Sequence, residues 1–588
     1  MKRRSTIAAT AAGAIAALVI SACSSGGSTT STGSSGSANT GAVAFNAGIS
    51  SIVNPSTHKG GTLIFDDSST PDSFDPGNTY YAWVLNFDRL FAMPLYTYKS
   101  CAGNCGLTLV PDLATDMGTQ SDGGKTWTFH IQPNVKYENG QTVTAADVKY
   151  AIERTYDRSV MANGPSYYQA LLTDPTYKGP YKDKSAAGLT AIDVPDATTL
   201  VMHLQAPFAD LPYVLAFPNT APVPQSADKG SNYQLHPLST GPYMFQSYQL
   251  NKQLTLVPNP QWNPATDPQA KQLPSKIIVN LNVNAADIDN RLLAGDIDID
   301  AAGAGVGASA QSRILSNPTL KVNSDDPING FGRFAYLDTK VAPLDNVHCR
   351  EAVEYAANKV TTQTAYGGPI AGGQIASTID PPNIVGYQSF DLYEALSKPT
   401  GDLAAAKQQL AQCGQPNGFS TNLAYRSDRL QETAAATALQ ASLAQAGIKV
   451  TLKGFPSGTY YTNFAGAPAY VHSHQLGIAM GGWGADWPDG YGFLDELSNG
   501  NAIVSTGNTN IEELNDSAIN AMFTQSSNLT GDARTAVWAK IDKQIMTDAG
   551  ILPLVYQKAL LYRNPNVTNV YVQTYYGMYN YAVLGVKS

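Results

Sequence analysis

Hydrophobic and polar positions along this chain follow two periods, one suited to strands and one to helices. Gly60-Gly61-Thr62-Leu63-Ile64-Phe65 is a short apolar run bounded by glycines, which predicts a first strand. Residues 126–131 (Thr-Trp-Thr-Phe-His-Ile) alternate and predict another, followed by the turn signal Asn139-Gly140. Thr144, with Asp147 three positions later, caps a predicted helix over Val148 to Tyr156. Residues 276–282 predict a strand and Ala285 to Ala294 a helix. Further helices are predicted over 349–358, 402–413 and 430–446, each followed by a polar turn and an apolar strand such as 448–452. No repeat of 20–50 residues accompanies this alternation, so the pattern predicts an α/β architecture rather than a solenoid.

The first forty residues depart from it. Lys2-Arg3-Arg4 precede an apolar stretch from Thr6 to Ile20, and Ile20-Ser21-Ala22-Cys23 places small residues directly before a cysteine. That order is a secretory signal, with an apolar run shorter than the roughly 20 residues of a membrane span. The tetrad resembles a bacterial lipobox, which implies a signal peptide over 1–22 and lipidation of Cys23. Ser24 to Thr40 is almost wholly Ser, Gly and Thr, so 23–59 is expected to be a lipidated, flexible tether. The protein is expected outside the cytoplasm, anchored to the outer face of the cell membrane.

A chain of 588 residues exceeds one hydrophobic core, so two or more lobes are expected. Without Lys2, Arg3 and Arg4, 34 basic residues face 46 acidic ones, a formal charge of −12. That balance argues against nucleic acid or an anionic bilayer as partner. With Cys23 reserved for lipid, four cysteines remain. Cys101 and Cys105 are close enough to staple a small loop. Cys349 and Cys413 form a second bridge if their Cα atoms lie within roughly 7 Å. A zinc set is disfavoured, since no second pair completes the first and neither His130 nor His203 has the spacing. No metal and no cofactor are expected.

Catalytic signatures are weak. Gly124-Lys125-Thr126 resembles the tail of a phosphate loop, but Thr119 stands where its first glycine belongs and the segment runs into a strand. There is no HExxH and no nucleophile elbow, and His472 and His474 read as solvated positions in a polar loop. No enzyme is expected. Gly481-Gly482-Trp483-Gly484-Ala485-Asp486-Trp487-Pro488-Asp489-Gly490 stands out instead. Two aromatic faces around one carboxylate suit an organic ammonium. They equally suit a capped loop, with Asp486 bonding backbone amides and the tryptophans in the core; composition leaves both open.

Several blocks, in order, resemble family 5 of the extracellular solute-binding proteins of ABC importers, the oligopeptide- and dipeptide-binding proteins. They are Pro71-Asp-Ser-Phe-Asp75-Pro76; Pro111-Asp112-Leu113-Ala114 through Thr144-Ala145-Ala146-Asp147-Val148; Ser239-Thr240-Gly241-Pro242-Tyr243; Leu293-Ala294-Gly295-Asp296; and Arg350 through Ala357. The resemblance covers residues 60–588 and implies a two-lobe periplasmic-binding-protein-like clamp. Lobe I would comprise 60–92, 222–328 and 556–588, with an extra subdomain at 93–221, and lobe II would span 329–555. It implies that Asp486, beside Trp483, Gly484 and Ala485, pairs with a peptide's α-amino group. Tyr80, Tyr81 and Ala82 would form a lobe I wall, with Tyr167 near the cleft and Arg426 or Arg429 meeting a peptide C-terminus. The implied partners are a peptide, with oligopeptides expected, and an ABC permease with its ATPases; the protein is expected to be a monomer. A nickel chelate, sugar or opine on the same fold, or a role as peptide-signal receptor, remains the alternative.

Overall fold

The computed structural model describes residues 44–587 other than 175, 428, 457, 458, 528 and 530. The expected signal peptide, Cys23 and the first part of the tether lie outside the described residues.

Two mixed sheets organise two lobes. The lobe I sheet has the order Ile299–Asp300, Thr62–Asp66, Lys276–Asn280, Gln253–Pro258, Tyr243–Gln249. Its first three strands are parallel and the last two antiparallel. Phe65, Phe74, Phe87, Phe91 and Tyr243 fill the core against it. The lobe II sheet runs Gln374–Ile375, Ile551–Lys558, Ile328–Leu337, Ile478–Gly484, Ser420–Arg426, Lys449–Phe455. Separate apolar clusters lie on its two faces, as a sheet with helices on both sides requires. A four-stranded antiparallel sheet (119–121, 126–130, 199–203, 192–196) carries its own core and forms the added subdomain. Buried Arg154 in the subdomain ties it to lobe I by a two-toothed pair with Asp75, at 3.0 and 2.6 Å, and also reaches Asp228 at 3.2 Å.

The predicted elements emerge with small shifts. The Thr144 cap opens the helix Ala145–Arg154, with the Asp147 carboxylate accepting the Thr144 N–H at 2.9 Å. Ala285–Ala294 is a helix that ends on Gly295 at φ 86°, a left-handed stop suited to glycine. The cysteines pair 101 with 105 and 349 with 413, at Cα separations of 6.0 and 5.4 Å. The longer bridge joins the helices Val347–Ala356 and Leu403–Gln412 at the latter's end.

Three expectations change. The tether expected through residue 59 is shorter: Ala47–Ser50 is a helical turn, Gly48 N–H donates to Asp325 at 2.8 Å, and Val53 is fully buried against Val570. Phe45, Ile49 and Val53 supply apolar surface that the Ser/Gly/Thr segment lacks, and it packs on lobe I. His472 and His474 lie in a helix, Pro468–His474, rather than a loop. The strand Ile551–Lys558 also runs through the expected lobe boundary at 556. The chain crosses between sheets at two adjacent places. A short ladder of Ser324–Asp325 with Leu561–Tyr562 precedes the long ladder in which Ile328 pairs with Lys558.

Candidate ligand-binding site

The strand Ile478–Gly484 carries the Trp483-to-Asp489 loop to the edge of lobe II nearest lobe I. Glycines in this strand make room for large neighbours. A Cβ on Gly482 would stand 2.6 Å from the Gly332 carbonyl and 2.9 Å from the Arg333 guanidinium, and one on Gly484 would strike the Phe331 ring at 2.7 Å. The side chains of the paired strand Ile328–Leu337 therefore lie across the sheet and shape a wall.

Between the lobes lies a cavity of about 660 Å³. Lobe I contributes Tyr80, Ala82, Phe217, Tyr575 and Tyr576 to its lining, and lobe II contributes Phe331, Arg333, Asn383, Arg426, Arg429, Tyr461 and the 482–486 segment. Its size falls within the roughly 300–1,000 Å³ of small-molecule sites.

Asp486 is half-buried at this junction. The hydroxyls of Tyr80 and Tyr167, from lobe I and its subdomain, each donate to one of its carboxylate oxygens. Tyr575 donates to its backbone carbonyl at 2.8 Å. Burial pushes its carboxyl up to about 6, and the two phenols offset part of that. The two readings of the loop are thus divided among neighbours. Asp489, not Asp486, performs the capping, accepting the Gly492 N–H at 2.9 Å at the start of the helix Gly490–Ser498. Trp487 is core, 3% exposed and packed among Tyr167, Phe208 and Tyr213 of the subdomain. Trp483 lines the cavity, and its indole N–H has no hydrogen-bond partner among the described residues. Asn383 Oδ1, also on the wall, has none either.

Three arginines supply positive charge. Arg426, 4% exposed, is gripped by Glu432 through Nε at 3.0 Å and through its terminal nitrogen, so its charge is already matched. Arg429 is largely exposed, and the partial desolvation of its guanidinium, with the nearby Arg426 and Arg333, lowers its pKa. Arg333 is half-buried, lies 5.8 Å over the Phe331 ring, and has no carboxylate partner among the described residues. The chemistry assembled in one cavity is a carboxylate held by lobe I phenols and guanidinium groups carried by lobe II, with aromatic rings and unpaired polar atoms on the same lining. It can hold a molecule that carries both an ammonium and an acidic group.

Of the residues singled out in the sequence, Asp486, Trp483, Gly484, Ala485, Tyr80, Ala82 and Arg426 line the cavity. Tyr167 reaches it through Asp486. Tyr81 does not line it; 50% exposed, it stands at the N-cap of the helix Ala82–Asp88, whose turn sends alternate tyrosines in different directions. Sequence reasoning missed Arg333, Asn383, Tyr461 and Tyr575. Each comes from a separate segment, and only a strand register such as Arg333 opposite Gly482 brings it in.

The profile of the bacterial extracellular solute-binding proteins, family 5 (middle region), matches residues 108–504. A solved structure titled clavulanic acid biosynthesis oligopeptide binding protein 2 is 38% identical with a TM-score of 0.89, over 93% of this chain and 99% of its own. The probable D,D-dipeptide-binding periplasmic protein of Escherichia coli (strain K12) is 25% identical over 86% of this chain and 90% of its length. Heme-binding protein A of Haemophilus influenzae (strain ATCC 51907 / DSM 11121 / KW20 / Rd) is 23% identical over 78% and 80%. With the two-lobe clamp, the matched profile and a 38% identical relative in agreement, this chain belongs to the family 5 bacterial extracellular solute-binding proteins.

Proposed function

We propose that this protein captures short peptides with a free amino terminus by lobe closure and delivers them to an ABC permease. The observation that carries this reading is that one cavity is lined by both signs of charge, Asp486 on one side and Arg333 and Arg429 on the other, with Arg333 opposite Gly482, four positions before Asp486 along its own segment. An ammonium on Asp486 and a carboxylate near the guanidiniums are the two ends of a short peptide. The Trp483 indole N–H and Asn383 Oδ1 offer a donor and an acceptor for amides between them. Relatives named as oligopeptide- and dipeptide-binding support the ligand class. The function is capture rather than catalysis. Affinity arises because the ligand touches both lobes only when they meet, so binding shifts the population towards closure.

Lipidation at Cys23 would hold the clamp beside its permease and raise its local concentration there. Cys23→Ala should release the protein into the medium or leave it unprocessed; unchanged membrane attachment would remove the anchor from the proposal.

The direct test is mass spectrometry of solutes released when the purified mature protein is denatured, followed by calorimetric titration of a tripeptide and its N-acetyl form. Short peptides on release, and acetylation costing a few kcal/mol, are expected for a buried charge pair. Equal binding of the two forms would retire Asp486 as the amine partner. Release of a sugar or metal chelate would replace the ligand class.

A further inference from the structure

A second group of chemistry-bearing side chains lies at the other end of the lobe II sheet. Asp338 directly follows the strand Ile328–Leu337, His472 sits in the last turn of the helix Pro468–His474, and Glu513 precedes the helix Ser517–Ser526. One nitrogen or oxygen from each lies within 4.8 Å of the other two. Leu337 pairs with Ile478 and Phe331 with Gly484, so about six residue steps, roughly 20 Å, separate this group from the cavity wall.

Asp338 is 3% exposed. Its Oδ1 accepts the amides of Lys340 and Val341 at 2.7 and 3.0 Å, which accounts for its role in the turn. Its Oδ2 is buried and has no hydrogen-bond partner among the described residues. Glu513 is also buried, and its Oε1 lies 2.7 Å from His472 Nε2, with the imidazole side open to solvent. Among the described residues, neither carboxylate has a lysine or arginine partner. The unpartnered Asp338 Oδ2 beside the His472–Glu513 pair is costly as a charge in this buried position unless a proton or a cation joins it.

We propose that Asp338, His472 and Glu513 bind one divalent transition-metal cation of the Zn²⁺ type. The donor set of one imidazole nitrogen and two carboxylate oxygens suits such an ion better than Mg²⁺, which prefers oxygen ligands alone. Zinc holds nitrogen and oxygen at about 2.0–2.2 Å, so tetrahedral ligand atoms stand roughly 3.3 Å apart. His472 and Glu513 separate by about half an ångström to reach this, and Asp338 draws in. The fourth position faces solvent on the His472 side and takes a water. The ion ties together a strand end, a helix and a loop of lobe II, far from the cleft, so its role is to clasp the lobe.

The test uses untagged mature protein treated with EDTA and then exchanged into chelator-free buffer. Titration with ZnCl₂ should give one site per chain, and saturating Zn²⁺ should raise the Tm by about 2 °C, while MgCl₂ does neither. His472 is exposed, so His472→Ala should fold normally; it should weaken zinc binding at least tenfold and abolish the Tm rise. His474→Ala should leave both intact. Asp338→Asn, measured by calorimetry on whatever fraction folds, should weaken binding as His472→Ala does. No zinc binding by the wild type would overturn the proposal. So would equal binding by His472→Ala, or a Tm rise with Mg²⁺ but not Zn²⁺; each would leave a His–Glu hydrogen bond beside an Asp turn.

Discussion

The guanidinium of Arg534, in lobe II, grips both carboxylate oxygens of Asp210, in the subdomain of lobe I. The same Arg534 reaches Asp489 at 3.2 Å, so one cation neutralises two buried carboxylates from opposite lobes. Burial and the nearby Asp210 raise the Asp489 carboxyl, and Arg534 opposes that rise. The Arg534–Asp210 pair joins the two lobes, whereas Arg534–Asp489 lies within lobe II, so the first bond is the one that lobe separation would break.

Arg534→Ala therefore acts on closure more than on folding. It leaves Asp210 without its cation while the lobes meet, and Asp489 with the Gly492 N–H alone, a penalty of about 3–5 kcal/mol, whereas opening returns Asp210 to water. The expected result is a larger radius of gyration in small-angle scattering and ligand affinity reduced by a hundredfold or more. An unchanged scattering profile together with unchanged affinity would show that other contacts hold the lobes shut.

The Asp486 carboxyl titrates near 6 without ligand, above its ordinary 3.8. An amine ligand needs the ionised form, so affinity should be constant above about pH 7 and fall about tenfold per pH unit well below 6. Calorimetry at pH 7.5 and pH 5 checks this, and a flat profile counts against the pairing. The folding sign is opposite. A raised acid pKa means that ionising Asp486 costs stability above pH 6, and that cost is relieved as pH falls through 6 towards 3.8. Asp486→Asn should stabilise the ligand-free protein at pH 7.5 by on the order of 1 kcal/mol, allowing for partial exposure, with no gain at pH 4.

Arg333 has no carboxylate partner among the described residues, whereas Arg426 is held by Glu432. If a ligand carboxylate is met in lobe II, Arg333→Met should cost on the order of 1–3 kcal/mol for free-acid peptides and little for their C-terminal amides. Equal losses for acid and amide would place the carboxylate elsewhere.

The bridge between Cys349 and Cys413 closes a loop of 64 residues, and that between Cys101 and Cys105 only four. Chain-entropy arguments assign the longer one about 4 kcal/mol and the shorter about 2. Cys349→Ser with Cys413→Ser should lower the Tm by a few degrees, more than the corresponding change at 101 and 105. The reverse order in a thermal scan would refute this loop-entropy account.

What was legible from the sequence was what local chemistry encodes. The Thr144–Asp147 cap and the Ala285–Ala294 helix depend on residues a few positions apart, and they appear nearly as expected. The two clamp lobes were legible through ordered motif blocks rather than periodicity. Asp486 stood out because two tryptophans flank it, but its neighbours' division of labour did not. Trp487 is core only because the subdomain offers Tyr213 and Phe208, more than 270 positions earlier in the chain. Arg333 and Asn383 carry no local signal at all, since sheet register and loop packing alone bring them to the wall. The fate of Tyr81 shows the same limit: adjacent residues at a helix start diverge, and only backbone geometry decides which faces inward.

The phenols of Tyr80 and Tyr167 give Asp486 a resting set of partners of its own. A solute that offers only a hydroxyl or an amide N–H can at best repeat what those phenols already provide, whereas an ammonium adds a full opposite charge. Recognition then works as a threshold: neutral imitators gain nothing by entering, and discrimination comes from competition inside the binding site. Tyr167→Phe should lower that threshold, tightening amine ligands while narrowing their advantage over neutral analogues, a trade that paired titrations with a peptide and its desamino form would expose.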